Sequence, residues 1–358
     1  MKFAKNAEKH TQVQHGGPYS IDRQNSKIID YSSNVNPLGY PKSLGNLGKN
    51  WMSKIPVYPD HESTRLRKQL ARYLGASPEN LVAGNGATEI IYNFCRVVLE
   101  KNTPVLIPVP TFGEYEAASR LCTSRLKFFK TMNLGKDLTA FVKKIPNRGV
   151  VFICNPNNPT GSLTSKDSVL EITKSAKAKN TLVFVDECFI ELTQSPHQSV
   201  IDKIQRHENL FVLRSLTKSF GLAGLRVGYG VGNRKLVSIL AKIKIPWNIN
   251  GVAQEAAYIA LSDRSFLGKT RRLIKTESTF LRDSISRLDG FSCLDTSANF
   301  ILIKTKKDSG MLQKRLVKKN ILIRDCSTFR GLGKNYIRIA VRTRKENMKL
   351  IKALEELK

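Results

Sequence analysis

Short apolar runs recur along this chain, with helical periodicity between them. Val105-Leu106-Ile107, Val150-Val151-Phe152-Ile153-Cys154, Leu182-Val183-Phe184-Val185 and Leu210-Phe211-Val212-Leu213 have the length and the β-branched or aromatic character of buried strands. Leu66, Leu70, Tyr73 and Leu74 have helical spacing, as do Ile90, Ile91, Phe94, Val97 and Val98. Apolar strands without alternation, separated by helices, predict an α/β fold with a mainly parallel sheet covered on both faces. After Ile245-Pro246-Trp247-Asn248 a long helical stretch is expected to run to about Leu288. Strands at Phe300–Ile303 and Tyr336–Ala340 then predict a smaller α+β domain. The expected organisation is an N-terminal arm with part of the small domain over 1–44, a large domain over 45–250, and a small C-terminal domain over 251–358.

The ends of the apolar runs carry the polar groups. Leu81-Val82 leads through Gly84-Asn85-Gly86 to Ala87-Thr88-Glu89 and a helix, which makes an anion site from free N–H groups and the helix dipole. No GK[ST] follows, so this is not a Walker loop. Asn155-Pro156-Asn157-Asn158-Pro159-Thr160-Gly161 is a compact turn, and Thr164 to Asp167 reads like a capping box opening a helix. Asp186 and Glu187 close one strand; Ser215 and Lys218 follow another, ahead of a glycine-punctuated segment that contains Arg226. Ligands on such sheets gather beyond the carboxyl ends of the strands. Asn158, Asp186, Ser215 and Lys218 all fall there.

A lysine held partly desolvated beside other cations has a depressed pKa and attacks carbonyls readily. Ser215 and Arg226 flank Lys218 as candidate phosphate ligands. Seen singly, Lys218 is one of 59 Lys and Arg residues that a solvated loop would seat equally well; the convergence is the signal. Upstream, residues 1–14 read as polar and mobile, and His15-Gly16-Gly17-Pro18 as a loop open to close backbone approach. Asn36, in the turn after Ile28-Ile29-Asp30, either points its amide at a ligand or caps the turn.

Composition narrows the class. The chain has 358 residues, 41% of them apolar, enough for a large core. No apolar run reaches the length of a membrane span, and the start MKFAKNAEKHTQ lacks a signal-peptide core, so a cytoplasmic protein is expected. Six single cysteines without CxxC or Cys/His ladders fit reduced thiols and predict no metal. The net charge of +30 raises local anion concentration. It is dispersed, and no zinc finger, RNP-type motif or basic-region heptad accompanies it. The charge is therefore read as a property of the cell's proteome or as steering of an anionic substrate, with nucleic acid held by nonspecific attraction at most. A nucleic-acid-binding protein on such a fold would need an added module that the chain does not show.

The successive motifs NPNNPTG, DE and SLTKSFGLAGLRVGY resemble pyridoxal-phosphate enzymes of the aspartate-aminotransferase fold, and the likeness covers nearly the whole chain. The resemblance implies pyridoxal 5′-phosphate as cofactor, attached through Lys218. It further implies that Asp186 pairs with the pyridinium nitrogen, Asn158 bonds the phenolic oxygen and Phe112 stacks on the ring. Ser215, Arg226 and the Ala87-Thr88 turn would hold the phosphate, with Tyr58 reaching in from the second subunit of a homodimer.

Two relatives within that fold fit. One is the L-threonine-O-3-phosphate decarboxylases of cobalamin biosynthesis, which make (R)-1-amino-2-propanol O-2-phosphate; the other is the histidinol-phosphate aminotransferases of histidine biosynthesis. Three features resemble the decarboxylases: HGG followed by YSSNVNPLG, phenylalanine at 189 where the aminotransferases usually carry tyrosine, and the run from Ile323 to Arg342. Ser219-Phe220-Gly221-Leu222-Ala223-Gly224 reads as readily like an aminotransferase. The decarboxylase likeness places His15, Gly16, Asn36, Asn158, Arg324 and Arg338 around a small phosphorylated amino acid.

Overall fold

The structure is a computed structural model that describes residues 3–21, 27–49, 51–263 and 265–357. In chain order, the first half of the elements comprises α1 (Lys5–Glu8), β1 (Ile29–Asp30), α2 (Thr64–Leu74), β2 (Leu81–Asn85), α3 (Gly86–Val98), β3 (Val105–Val109), α4 (Glu114–Cys122), β4 (Leu126–Lys130), α5 (Leu138–Lys144), β5 (Val150–Cys154), α6 (Lys166–Lys177) and β6 (Leu182–Asp186). The second half comprises β7 (Leu210–Ser215), α7 (Leu216–Ser219), β8 (Val227–Val231), α8 (Arg234–Ile243), α9 (Gly251–Ser262), α10 (Phe266–Ser286), β9 (Phe291–Cys293), β10 (Phe300–Thr305), α11 (Ser309–Lys318), β11 (Ile321–Leu322), β12 (Arg324–Asp325), β13 (Tyr336–Ala340) and α12 (Arg344–Glu355).

The main sheet has seven strands in the order β2-β8-β7-β6-β5-β3-β4. β8 runs antiparallel to both its neighbours, and every other pairing is parallel. The expected parallel sheet is thus present, with one reversed strand inside the glycine-punctuated segment that follows Lys218. β3 and β5 pair only through Val105↔Val150 and Leu106↔Val151. The chain leaves β3 for β4 on one side and returns to β5 on the other. The ladder splits at this switch point, and a cleft opens beyond the strand ends, as such topologies require.

Two hydrophobic cores form. The first holds the central strands and Phe94, Phe152, Phe184 and Phe211. The second joins Tyr31, Leu281, Ile301, Ile303, Ile337 and Leu350. Its sheet has the order β12-β13-β10-β9, and β1 pairs with β11. α9, which follows the boundary expected at 250, buries Ala253, Ala256, Ala257 and Ala260 in the first core. The changeover lies along α10, with Ile274 in the first core and Leu281 in the second.

Three local readings are revised. The long helix expected to Leu288 is two helices; Asp263 breaks it, its carboxylate accepting the backbone N–H of Phe266 at 3.1 Å. α6 is capped by Ser165, which accepts the N–H of Ser168 at 3.2 Å, while Thr164 is tied back to Asn155 at 2.8 Å. Residues 5–8 of the start form the short helix α1, and Asn6 donates to the Leu121 carbonyl at 3.2 Å.

Candidate active site

A cavity of about 1300 Å³ opens beyond the carboxyl ends of β5, β6 and β7. Its wall includes His15, Gly16, Ala87, Thr88, Phe112, Asn158, Asp186, Ser215, Lys218, Arg226, Arg324 and Arg338, twelve of the fourteen residues singled out from sequence. Segments 300 residues apart meet there because the strand ends of the large sheet face β12 and β13 of the small one.

One end of the cavity is an anion cradle. α3 begins directly at Gly86, with φ +81°, and presents its first free N–H groups at Ala87 and Thr88. Gly228 on β8 lets that turn sit close, since a Cβ there would stand 2.5 Å from the Ala87 nitrogen. Ser215 caps α7 by accepting the N–H of Thr217 at 3.2 Å, and Thr217 lines the same wall. Arg226 lies across the cradle, its Nη1 3.5 Å from the Thr217 hydroxyl.

Lys218 stands on α7, in the middle of the cavity. Burial, reinforced by the positive charges of Arg338 and Arg226, brings its amine down to about 8. It therefore gives up its proton far more readily than an ordinary lysine, as a nucleophilic amine must. Asp186 closes the other end. Its Oδ1 accepts the N–H of Cys188 at 2.9 Å and its Oδ2 the hydroxyl of Tyr115 at 2.7 Å. Burial still pushes this carboxyl above its ordinary value, outweighing those hydrogen bonds and the charge of Lys218.

The far wall is basic. Arg338 donates to the side-chain oxygen of Asn158, and to the Ser32 carbonyl at 2.6 Å. Its Nε is buried without a partner, and burial with the nearby charge of Arg324 brings the guanidinium down to about 10. Arg324 donates to the Gln14 carbonyl at 2.6 Å and to Thr328 at 3.2 Å. Neither arginine has a carboxylate partner among the described residues. Two buried cations so arranged form a receptor for an anionic ligand.

Two expected site residues lie elsewhere. Asn36 is 4% exposed, and its amide is spent on the Ser219 carbonyl at 2.8 Å and Thr270 at 3.1 Å. It holds the segment behind Lys218 and does not line the cavity. Tyr58 is 78% exposed and stacks on Trp247, with centroids 4.8 Å apart. Sequence reading also missed Tyr115, Thr217 and Cys188. Tyr115 follows Phe112 by three residues at a helix start, a spacing shared with any core aromatic. Among the described residues no group of three His, Cys, Asp or Glu is placed to hold a metal, no helix is long and apolar enough to cross a membrane, and the six cysteines are unpaired.

Residues 26–354 match the profile described as aminotransferase class I and II. A protein of Caldanaerobacter subterraneus subsp. tengcongensis named "Putative threonine-phosphate decarboxylase" is 36% identical over 99% of this chain and 96% of its own. Histidinol-phosphate aminotransferase 2 of Archaeoglobus fulgidus is 34% identical over 95% of this chain and 96% of its own. Further relatives from several archaea and Moorella thermoacetica are histidinol-phosphate aminotransferases at 29–33% identity. The crystal structure of the histidinol-phosphate aminotransferase from Clostridium acetobutylicum superposes with a TM-score of 0.83 at 32% identity, covering 92% of this chain and 99% of its own.

Proposed function

This chain belongs to the class I and II aminotransferase family, and on that premise we propose that it releases CO2 from O-phospho-L-threonine to give (R)-1-amino-2-propanol O-2-phosphate. Its cofactor is pyridoxal 5′-phosphate. The residues present fit that group. The cradle of Ala87, Thr88, Ser215 and Arg226 suits its phosphate, the amine of Lys218 its aldehyde, and the buried carboxylate of Asp186 its ring nitrogen. Bound there, the cofactor supplies a sink for the electron pair released at the substrate Cα.

The observation that carries the substrate reading is the meeting of three segments in one cavity. The His15-Gly16 loop, Phe189 and the Arg324–Arg338 region are the parts of the sequence that resemble the decarboxylases, and all three line it. Phe189 is buried edge-on against Phe300 at 5.1 Å, its ring 6.0 Å from the Lys218 amine, and it offers no hydroxyl there. Arg338, tied to Asn158, is assigned the substrate carboxylate; Arg324, beside the arm, is assigned the phosphate together with His15. As the Cα–carboxylate bond breaks, its electron pair stays at Cα and CO2 leaves. Lys218 then returns a proton to Cα, a task suited to an amine poised near 8.

Histidinol-phosphate transamination is the second reading, favoured by the aminotransferases among the relatives. The two are separated by incubating the purified holoenzyme with O-phospho-L-threonine and following CO2 without any keto acid. Release of CO2, with poor 2-oxoglutarate-dependent turnover of histidinol phosphate, is the expected result. Efficient transamination of histidinol phosphate with no CO2 from phosphothreonine overturns the proposal.

A further inference from the structure

One buried carboxylate behind the cavity wall has no part in the assignments above. Glu114, the first residue of α4, is 4% exposed. Its Oε1 lies 2.7 Å from Nε2 of His15, and its Oε2 accepts the Tyr92 hydroxyl at 2.7 Å. The carboxylate is held by α3 and α4, whereas the His15 side chain is 54% exposed on the arm. Glu114 is thus the fixed member of the pair and His15 the one being placed. A ring nitrogen facing a carboxylate carries the proton, so Nε2 is the donor and Nδ1 is left for a ligand.

The electrostatics agree with that arrangement. Burial alone would raise the Glu114 carboxyl. The hydrogen bonds from His15 and Tyr92 outweigh it, His10 adds its charge, and the group stays below its ordinary value as an anion. An uncovered anion here would repel an anionic substrate. Covered by His15, it is screened from a wall that already carries Arg324 and Arg338. His15 also stands 6.0 Å from the ring of Phe112, at the face assigned to the cofactor.

We propose that Glu114 is a positioning residue for recognition of a phosphate monoester: it fixes the His15 ring through Nε2, so that Nδ1 is the ring atom presented to the phosphate of the substrate. This rests on the reading that the substrate is a phosphorylated amine, which phosphothreonine and histidinol phosphate share. Glu114 touches neither substrate nor cofactor and acts through His15.

The test uses the holoenzyme as wild type, Glu114→Gln, Glu114→Asp, His15→Ala and the Glu114→Gln/His15→Ala double variant. Half-saturation is read from the cofactor's absorbance change with O-phospho-L-threonine, histidinol phosphate, and their dephosphorylated parents L-threonine and L-histidinol. Glu114→Gln is expected to weaken both phosphorylated amines about tenfold, as for loss of a charge-assisted hydrogen bond, and to leave the parents within about twofold. Glu114→Asp recovers part of the loss, His15→Ala reproduces it, and the double variant loses no more than His15→Ala alone. Equal weakening of phosphorylated and parent amines, or a further loss in the double variant, overturns the proposal. If Glu114→Gln does not fold, His15→Ala on the exposed arm decides: an unchanged preference for phosphorylated amines overturns it. Failure of the decarboxylase reading is seen separately, as absence of CO2, because both phosphate monoesters are compared.

Discussion

The Tyr115 hydroxyl donates to Oδ2 of Asp186 at 2.7 Å, joining the first turn of α4 to the end of β6. Cys188 supports the same carboxylate through its backbone N–H and its thiol. Tyr115→Phe removes the tyrosine hydroxyl without changing the stacked contact with Phe152 at 5.2 Å. The Asp186 carboxyl should then rise further and hold a cationic ring nitrogen less well. We expect pyridoxal 5′-phosphate to dissociate about tenfold more readily, measured by equilibrium dialysis with absorbance detection. Unchanged affinity would show that Asp186 needs no help from α4.

Lys218 should be the attachment point of the cofactor. Borohydride treatment of the holoenzyme is expected to leave pyridoxyl on the peptide carrying Lys218, and Lys218→Ala should fold but lose turnover. A label mapped to another lysine rejects the assignment.

The same amine makes a prediction about stability without the cofactor. Its pKa is about 8 in the folded chain against 10.5 ordinarily, so the unfolded chain binds more protons between those values. The penalty for burying the charge is full below about pH 8 and fades as pH rises toward 10.5. Lys218→Met should therefore stabilise the cofactor-free protein at pH 7 by on the order of 2 kcal/mol, a figure reduced for water reaching the amine from the cavity. The gain should shrink steadily toward pH 10, as read by denaturant midpoints of the two proteins side by side.

Arg324→Ala and Arg338→Ala should each weaken the reaction with phosphothreonine by on the order of 2–5 kcal/mol in kcat/KM, since each removes a desolvated cation facing an anion. The Arg338 variant should also disturb Asn158, whose oxygen it holds. Wild-type kinetics in either variant would remove that arginine from the site.

We expect a homodimer whose sites need both subunits. Tyr58 and Trp247 stack in the open, beside the exposed Ile55, Val57 and Ile245. A second copy would cover this apolar surface and bring Tyr58 to the partner's cradle. Sedimentation at high dilution should show activity falling with dimer content. Full activity in a monomer would contradict the arrangement.

Much of this was legible because burial on both faces leaves an unbroken apolar signature. β3, β5, β6 and β7 carry it, and the polar groups at their ends mark the site. β8 does not: Val227-Gly228-Tyr229-Gly230-Val231 needs its glycines because α3 and Phe211 press on that strand, and those glycines interrupt the apolar run. β4, at the sheet edge, is only half-buried and carries lysines at both faces of the pattern. Tyr115 and Glu114 left no mark because their partners, Asp186 and His15, lie 71 and 99 residues away. Asn36 was misplaced for the opposite reason: an amide in a glycine-proline turn suits a ligand and a neighbouring carbonyl alike, and only packing chose Ser219.

α10 has 21 residues, about 30 Å of continuous helix, and each half is rooted in a different core. β10 is shared in the same way, with Phe300 turned to one core and Ile301 to the other. Chains of two domains often melt in two steps when their halves share only a surface. Here neither half can let go without stripping a rod and a strand from the other. Heating should therefore take the whole molecule apart in a single cooperative event, and a protease cut within α10 should cost both halves their resistance together.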